Sequence, residues 1–288
     1  MTDLLFAFDQ QALIVKDVQE SFLSFFHPLL FFLRHFDSIP YYLLFTASIV
    51  SLCPKKEGES ALYLVLSCFY LNNLLKYRFD MPRPGAFIPD LDLSGIGHHY
   101  GFPSGGAMTS VIIGTLLARH IKHSSRWFIA LCYVALVSLS RVYLGAHFPI
   151  DVAGGLLFGI LLSGIFLLVE RLMTSSALSL NRSRFFLVAL ILTVSLYGIH
   201  PGGATPLILL LMSGAAVGKL CFFENDRECQ KALKLLVTIA GTLILFAGFK
   251  WSLKGGLINN ACLFALGFWI AHGSHVLSSK IEGAFKSR

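Results

Sequence analysis

Charged residues are scarce in this chain of 288 residues, of which they make up only 14%. Soluble domains carry about 25% charged residues, so the scarcity excludes an ordinary soluble protein. Hydrophobic residues supply 55% of the chain, and the mean hydropathy is +0.70. Helices are the usual way for such a chain to satisfy its backbone in lipid. The composition therefore predicts an all-α protein, a polytopic bundle of membrane helices.

Cysteine pairs with metal-ligand spacing are also missing. The six cysteines show no C-x-x-C spacing, and most lie in or beside apolar runs, as small buried hydrophobic residues do. The charged residues Asp3, Asp9, Lys16 and Asp17 break any signal-peptide pattern at the start. The net charge of +7 is explained by basic residues that flank membrane spans, so the sequence predicts no nucleic-acid partner.

Apolar runs predict about nine membrane spans, since one span needs about 20 mostly apolar residues. The runs lie near residues 39–54, 60–79, 104–121, 126–144, 148–170, 184–200, 204–223, 231–249 and 255–276. Residues 1–38 are interrupted by Pro28 and flanked by charge, which indicates an interfacial amphipathic helix or, alternatively, a short first span. We divide the remainder into residues 39–174, which hold most of the unusual polar groups, and a C-terminal membrane extension, 175–288.

A loop rich in proline and glycine, residues 80–102, joins the second and third predicted spans. If the spans alternate in direction, most lysines and arginines lie on the side opposite this loop. The positive-inside rule makes that opposite side cytoplasmic. The loop is therefore expected to face the periplasm in a bacterial inner membrane, or the lumen of an internal membrane in a eukaryote.

Three polar segments fall at span ends on the side of this loop. They are "KYRFDMPRP" (residues 76–84, with Lys76 and Arg83), "FPSGG" at the start of the third span, and "SRVYLGAHFPID", which ends at Asp151. Any single cation here would be read as an interfacial anchor, and Ser-Gly-Gly alone as close helix packing. Their combination on one face favours a binding site instead.

The residue types in these segments suit a phosphate. Lys76, Arg83 and Arg141 offer three cations to its oxygens. Ser104 and Gly105, at a predicted helix start, offer a hydroxyl group and backbone N–H groups along a favourable helix dipole. The sequence therefore predicts a phosphate site at this membrane face.

His147 and Asp151 form a second pair within the same site. Pro149 suits the first turn of a helix, and a spacing of four residues brings the Asp151 carboxylate beside the imidazole. A carboxylate that accepts one ring N–H fixes the tautomer and leaves the other nitrogen free to attack phosphorus. The pair predicts covalent chemistry on the phosphate.

The patterns K-x6-RP, PSG and SR-x5-H-x3-D, within about residues 40–170, resemble the three-part signature of the type 2 phosphatidic acid phosphatase superfamily. The resemblance implies a core of six helices, here with extra C-terminal spans, and a lipid phosphatase that uses no metal and no cofactor. "GFPSGGAM" followed by "SRVYLGAHFPID" also resembles the sphingosine-1-phosphate phosphatase branch.

The same resemblance implies a role for each matching residue. His147 would become a phosphohistidine, and Asp151 would orient it. The phosphoryl oxygens would be bound by Lys76, Arg83, Ser104, Gly105 and Arg141. The superfamily has a second histidine directly after Pro-Ser-Gly, which donates a proton to the leaving oxygen, whereas this chain has Gly106 there.

Three explanations of Gly106 are open. His98 or His99, in the preceding loop, substitutes as the acid. Alternatively, the substrate is a lipid diphosphate, whose leaving phosphate ester needs little protonation because its second pKa is near neutral. In the third explanation, the chain is a slow or inactive relative or carries an altered sequence.

The expected function is hydrolysis of a lipid phosphate or diphosphate at the extracytoplasmic face. One alternative is a phosphotransferase, in which a lipid hydroxyl replaces water. The other is a non-catalytic lipid-phosphate binder or translocator, although the last spans hold fewer ionisable residues than a transport path requires. The expected partners are the lipid substrate and the membrane lipids, and the sequence predicts no oligomeric state.

Overall fold

The structure is a computed structural model that describes residues 2–21, 26–53, 55–95, 97, 99–121, 123–174, 214, 231–251 and 257–286. Every regular element in these residues is helical, which confirms the predicted all-α class for this part of the chain. The helices are α1 (Thr2–Ser21), α2 (His27–Phe32), α3 (Ile39–Leu52), α4 (Lys55–Phe79), α5 (Gly105–His120), α6 (Arg126–Tyr143), α7 (Pro149–Thr174), α8 (Lys231–Trp251), α9 (Leu257–Phe268) and α10 (Ser274–Lys286). Short 3₁₀ turns cover Leu33–Asp37, Pro84–Ala86 and Pro89–Leu91, and a π-helical turn, Trp269–Gly273, joins α9 to α10.

Two described helices are long and apolar enough to cross a membrane, α6 over Arg126–Tyr143 and α7 over Pro149–Arg171. A third candidate results if the bent pair Ala261–Gly273 and Val276–Glu282 counts as one span. The predicted spans near 184–200 and 204–223 lie almost wholly outside the described residues. The number of about nine spans, based on runs of about 20 apolar residues, therefore stays a prediction.

The chain forms two compact units, one of Met1–Tyr41 with Leu71–Arg171 and the other of Tyr42–Tyr70 with Leu172–Arg288. The predicted boundaries at residues 38 and 174 stay predictions. Within the second unit, Ser51 Oγ donates a hydrogen bond of 2.8 Å to Thr238 Oγ1. The apolar core of that unit includes Val50, Leu62, Leu66, Leu266 and Ile270.

The core of the first unit is built around one face of α1. Phe8, Ala12 and Val15 are spaced four and three residues apart, so they lie on one side of the helix, and all three are buried. The Phe8 ring lies 5.2 Å from the ring of Phe148, centroid to centroid. The same cluster includes Leu91, Ala107, Val142, Phe148 and Val152, which come from the loop and from α5, α6 and α7.

Helices α5 and α7 lie side by side and are joined near both ends. At their N-terminal ends, Ser104 N donates to Asp151 O at 2.9 Å. Towards their C-terminal ends, Arg119 Nη1 lies 2.7 Å from Glu170 Oε2. The two N-termini are therefore at the same end of the unit, where their backbone N–H groups and dipoles favour negative charge.

Close contact between α5 and α7 depends on Gly155. A Cβ atom there would lie 2.5 Å from Ser104 O, so a side chain forces the two helices apart. We expect Gly155→Ala to lower the free energy of unfolding by about 1–3 kcal/mol, as overpacking does. Thermal unfolding of the purified protein in detergent, followed by circular dichroism, measures the change.

Gly164, on the same helix, is the matched control. A Cβ atom at Gly164 would meet nothing within 4 Å. Gly164→Ala should therefore keep or raise the melting temperature, because alanine is favoured over glycine in a helix by about 0.5–1 kcal/mol. Equal melting temperatures for the two variants would contradict the contact at Gly155.

Candidate active site

Arg83 lies at the centre of the predicted polar cluster and is only 7% exposed. Its Nε donates to His99 O at 2.8 Å, Nη1 donates to Ala146 O at 2.6 Å, and Nη2 donates to Tyr100 O at 3.2 Å. Nη1 also lies 3.4 Å from His147 Nε2. The guanidinium group thus joins the long loop to the segment before α7 and lies against the predicted nucleophile.

Lys76 reaches the same loop from the end of α4. Its Nζ donates to Tyr100 O at 2.7 Å, the carbonyl group that Arg83 also contacts. One helical turn earlier, the buried Asn72 donates from Nδ2 to Pro103 O at 3.3 Å. Asn72 therefore holds the Pro-Ser-Gly turn through this hydrogen bond, a role that the sequence motifs did not indicate.

Ser104 begins α5 as its N-cap residue. Its backbone is extended, and its Oγ accepts a hydrogen bond from Ala107 N at 3.4 Å, which satisfies one free N–H group of the first turn. The side chain is fully buried. The next residue is Gly105, where a Cβ atom would come within 3.0 Å of Asn72 Oδ1. The turn is therefore closely packed at the position predicted to hold a phosphate.

His147 and Asp151 are brought together by the start of α7. Asp151, in the first helical turn, accepts a hydrogen bond from Phe148 N at 2.9 Å through Oδ2, as a capping carboxylate does. The same oxygen lies 3.6 Å from His147 Nδ1, just beyond hydrogen-bond distance. Both side chains are buried. Such contacts often shorten when substrate binds, so the pair is placed as the i, i+4 spacing predicted.

The environment keeps the His147 imidazole neutral. Burial, reinforced by the charges of Arg83, Lys76 and Arg141, lowers its pKa well below the ordinary value of 6.5. Because an ionised carboxylate only accepts hydrogen bonds, Asp151 favours the tautomer with its proton on Nδ1. The lone pair then lies on Nε2, the nitrogen that faces Arg83.

This low pKa predicts that stability depends on pH through His147. In the unfolded chain the imidazole titrates near its ordinary value of 6.5, whereas in the folded chain it stays neutral to lower pH. As the pH falls, the unfolded state binds the proton first, so the free energy of unfolding decreases below pH 6.5, by up to about 1.4 kcal/mol per pH unit. Melting temperatures measured from pH 8 to about 5 should fall more steeply for the wild type than for His147→Gln. Parallel curves would contradict the shifted pKa.

Arg141 is the most enclosed of the three cations, with 1% of its surface exposed. Its Nη1 donates to Asp37 Oδ2 at 3.0 Å, and its Nη2 donates to Leu33 O at 3.1 Å. Both partners belong to the 3₁₀ turn that follows α2. The sequence motifs indicate no functional residue in this turn, and the structure adds Asp37 to the cluster.

The two histidines predicted as substitute acids are placed differently. His98 lies outside the described residues. The side chain of His99 is 76% exposed, and its Nδ1 lies 4.0 Å from Asp80 Oδ1. His99 contacts the cluster through its backbone carbonyl group, which accepts a hydrogen bond from Arg83. Its role as an acid stays a prediction.

In the part of the chain that the structure describes, no group of three or more His, Cys, Asp or Glu side chains could hold a metal ion.

The cluster thus combines a buried neutral imidazole, a partner carboxylate, three cations and a helix N-terminus in the first unit. Residues 59–174 match the family model described as the PAP2 superfamily. This match covers 116 of the 288 residues, and the matched region resembles that superfamily. The matched region contains the nine predicted site residues from Lys76 to Asp151, whereas Asp37 lies before it.

Three curated proteins match parts of the chain. Lipid phosphate phosphatase delta of Arabidopsis thaliana is 26% identical over 148 residues, which cover 46% of this chain and 36% of that protein. Phosphatidylglycerophosphatase B of Bacillus subtilis is 38% identical over 101 residues, or 32% of this chain and 47% of that protein. Undecaprenyl-diphosphatase of Sulfolobus acidocaldarius is 31% identical over 120 residues, or 40% of this chain and 58% of that protein. The chain therefore spans between about a third and three fifths of the length of these relatives.

Proposed function

We propose that this protein is an integral membrane phosphatase that hydrolyses a lipid phosphate or diphosphate through a phosphohistidine, without a metal ion. The observation that carries the proposal is the position of His147 Nε2, which lies 3.4 Å from Arg83 Nη1 within a buried group of cations. A phosphate bound to those cations would present its phosphorus atom to a neutral ring nitrogen. The names of the three relatives, all phosphatases, point to the same reaction class.

In the first step, the lone pair of His147 Nε2 forms a bond to phosphorus while the bond to the leaving oxygen breaks. The imidazole gains positive charge, and Asp151, 3.6 Å from Nδ1, stabilises it. Arg83, Lys76 and Arg141 offset the negative charge on the equatorial oxygens, which is the main demand of phosphoryl transfer. The N-terminus of α5 at Ser104 adds backbone N–H groups to the same end.

In the second step, water attacks phosphorus, the N–P bond breaks, and inorganic phosphate leaves with the imidazole neutral again. A lipid hydroxyl in place of water would give the phosphotransferase alternative. The names of the three relatives denote phosphatases, so hydrolysis is the proposal that we retain. We place the site on the extracytoplasmic face because most lysines and arginines are predicted on the opposite side.

The test offers the purified protein two substrates, a long-chain lipid monophosphate and a lipid diphosphate, in mixed detergent micelles. Released inorganic phosphate is measured with and without a chelator, and His147→Ala provides the blank. We expect release above the blank for at least one substrate and no loss on chelation. Binding of both lipids without release above the blank would instead identify a lipid-phosphate binder.

A further inference from the structure

Asp37 fills the space beside Gly106 at the start of α5. A Cβ atom on Gly106 would lie 2.7 Å from Asp37 Oδ2 and 2.9 Å from Arg141 Cδ. Any side chain at Gly106 therefore competes with the Asp37–Arg141 ion pair for one volume. The glycine and the carboxylate are complementary features of this site, contributed by two distant parts of the sequence.

The 3₁₀ turn that carries Asp37 is firmly anchored next to the site. Leu30 and Leu33, which flank the start of this turn, are buried against Tyr143, Leu144 and Ala146, at the end of α6 and in the segment that leads to His147. Leu33 O also accepts a hydrogen bond from Arg141. The packing of Leu30 and Leu33 and the hydrogen bond from Arg141 thus hold the turn, and with it Asp37, in place.

The two partners of the ion pair differ in exposure. The Arg141 side chain is 2% exposed, whereas that of Asp37 is 18% exposed. The arginine is enclosed, and the carboxylate keeps an accessible face. A proton can therefore be exchanged between Asp37 and water without unfolding the turn.

Among the described residues, three carboxylates interact with the cations of the site. Asp151 accepts from Phe148 N and lies beside His147 Nδ1. Asp92 Oδ1 accepts from the backbone N–H groups of Ser94 and Gly95, and so it shapes a turn in the loop. Asp37 is the remaining carboxylate, and its negative charge acts on Arg83 as well as on Arg141.

The proposed reaction needs an acid at this place. Departure of an alkoxide from phosphorus is slow unless its oxygen is protonated, and general acids contribute typically 10²–10⁴-fold. Asp151 is committed to the Nδ1 side of the imidazole, and the His99 side chain is largely exposed to solvent. Asp37 is a further carboxyl group beside the cations that would bind the phosphate.

We propose that the carboxyl group of Asp37 donates the proton to the leaving oxygen of the lipid. This assignment rests on the proposed phosphatase function. A phosphate that binds to Arg141 would lie next to the Asp37 carboxyl group, because Asp37 Oδ2 is 3.0 Å from Arg141 Nη1. As His147 Nε2 bonds to phosphorus and the P–O bond breaks, the Asp37 proton moves to the departing oxygen. In the second step, the Asp37 carboxylate takes a proton from the attacking water, the N–P bond breaks, and the carboxyl group is restored.

The first test measures how the loss of Asp37 depends on the leaving group. Asp37→Asn keeps the size of the side chain but carries no carboxyl proton. We expect kcat for a long-chain alkyl phosphate to fall about 10²-fold or more, and kcat for 4-nitrophenyl phosphate, whose leaving group needs no proton, to fall less than about 10-fold. Asp90→Asn, at an exposed carboxylate in the loop, is the matched control and should leave both rates unchanged.

Equal losses for both substrates, with a raised KM, would overturn the proposal and show that Asp37 only positions Arg141. If the wild type hydrolyses neither substrate above the His147→Ala blank, the proposed function itself fails, which is a different outcome. The wild type also gives a test that needs no variant. A proton donor predicts that its rates across alkyl and aryl phosphates depend only weakly on the leaving-group pKa, and a steep dependence would contradict it.

A second pair of variants places a substitute acid at position 106, beside the space that the Asp37 side chain occupies. Gly106→His alone should lower the melting temperature, because its Cβ atom overlaps Asp37. The double variant Asp37→Ala/Gly106→His frees that volume for an imidazole, and we expect it to hydrolyse the alkyl phosphate at least about 10-fold faster than Asp37→Ala. No recovery in a folded double variant would contradict the assignment of an acid to this space.

Discussion

Replacing His147 with alanine is expected to lower phosphate release by about 10⁴-fold or more, since removal of a covalent nucleophile leaves only the contribution of binding and electrostatics. The imidazole is buried, and its Nε2 lies 3.4 Å from Arg83 Nη1. The alanine variant should still bind the lipid phosphate, because the three cations remain. Initial rates of phosphate release on the preferred substrate measure the loss.

A trapping experiment separates the loss of a nucleophile from a loss of folding. Wild-type protein mixed with a ³²P-labelled lipid phosphate and quenched within a turnover should carry label that is lost in acid and kept in base, as a phosphohistidine requires. His147→Ala should carry none. His123→Ala, at an exposed histidine between α5 and α6, is the matched control and should label like the wild type. Persistent labelling of His147→Ala would contradict the assignment.

Arg83→Lys is expected to lower kcat/KM by about 10²–10³-fold, the usual cost of losing one hydrogen-bond donor to a developing oxyanion. The substitution keeps the positive charge but removes the fork of donors that contacts His99 O, Tyr100 O and Ala146 O. A single ammonium group cannot bind these carbonyl groups and a phosphate at once. Most of the loss should appear in kcat, because the guanidinium group also fixes the position of His147.

Arg78→Lys is the matched control for this substitution. Arg78 lies on the same helix end as Lys76, and its side chain is exposed. We expect its kcat/KM to stay within about two-fold of the wild type, as for surface changes in general. A similar loss of kcat/KM in both variants would show that activity depends on the number of arginines at this membrane face. It would not then depend on the hydrogen-bond donors of Arg83 in particular.

Much of the site was predictable from sequence because its residues stand at helix ends. An alternating order of spans places Lys76, Arg83, Ser104 and Arg141 on one face, and the structure brings them into one cluster. The i, i+4 spacing of His147 and Asp151 predicted their contact for the same local reason. Residues that act through local geometry can be recognised without knowledge of the packing.

Asp37 and Asn72 could not be found in this way. Asp37 reaches Arg141 only because Leu30 and Leu33 pack against the end of α6, a tertiary contact over more than a hundred residues of chain that no local pattern encodes. Asn72 is a polar residue within an apolar run, and its position in the sequence does not show which neighbour it contacts. A weak signal did exist for Asp37, since it is a carboxylate directly before an apolar run on the side of the predicted site.

The number of spans was less predictable than the site. Hydropathy identifies apolar runs but not the length over which each run stays helical. The run near 104–121 forms a helix of 16 residues, because Pro103 and Ser104 fix its start at the predicted phosphate site. The runs of α6 and α7 have no such constraint, and both reach spanning length.

The two joints between α5 and α7 have a consequence for how the proposed phosphatase would meet a lipid substrate. At about 1.5 Å per residue, roughly 22 Å of helix separates Ser104 from Arg119 and roughly 28 Å separates Asp151 from Glu170. These lengths approach the thickness of about 30 Å of a bilayer's hydrocarbon layer. If both helices cross that layer, the proposed phosphate site and the Arg119–Glu170 ion pair lie at its opposite borders, and the site then lies at the depth of lipid phosphates. A substrate can arrive by diffusing within its leaflet, so the rate should follow the mole fraction of lipid in the membrane, and dilution with inert lipid should slow turnover at constant bulk concentration.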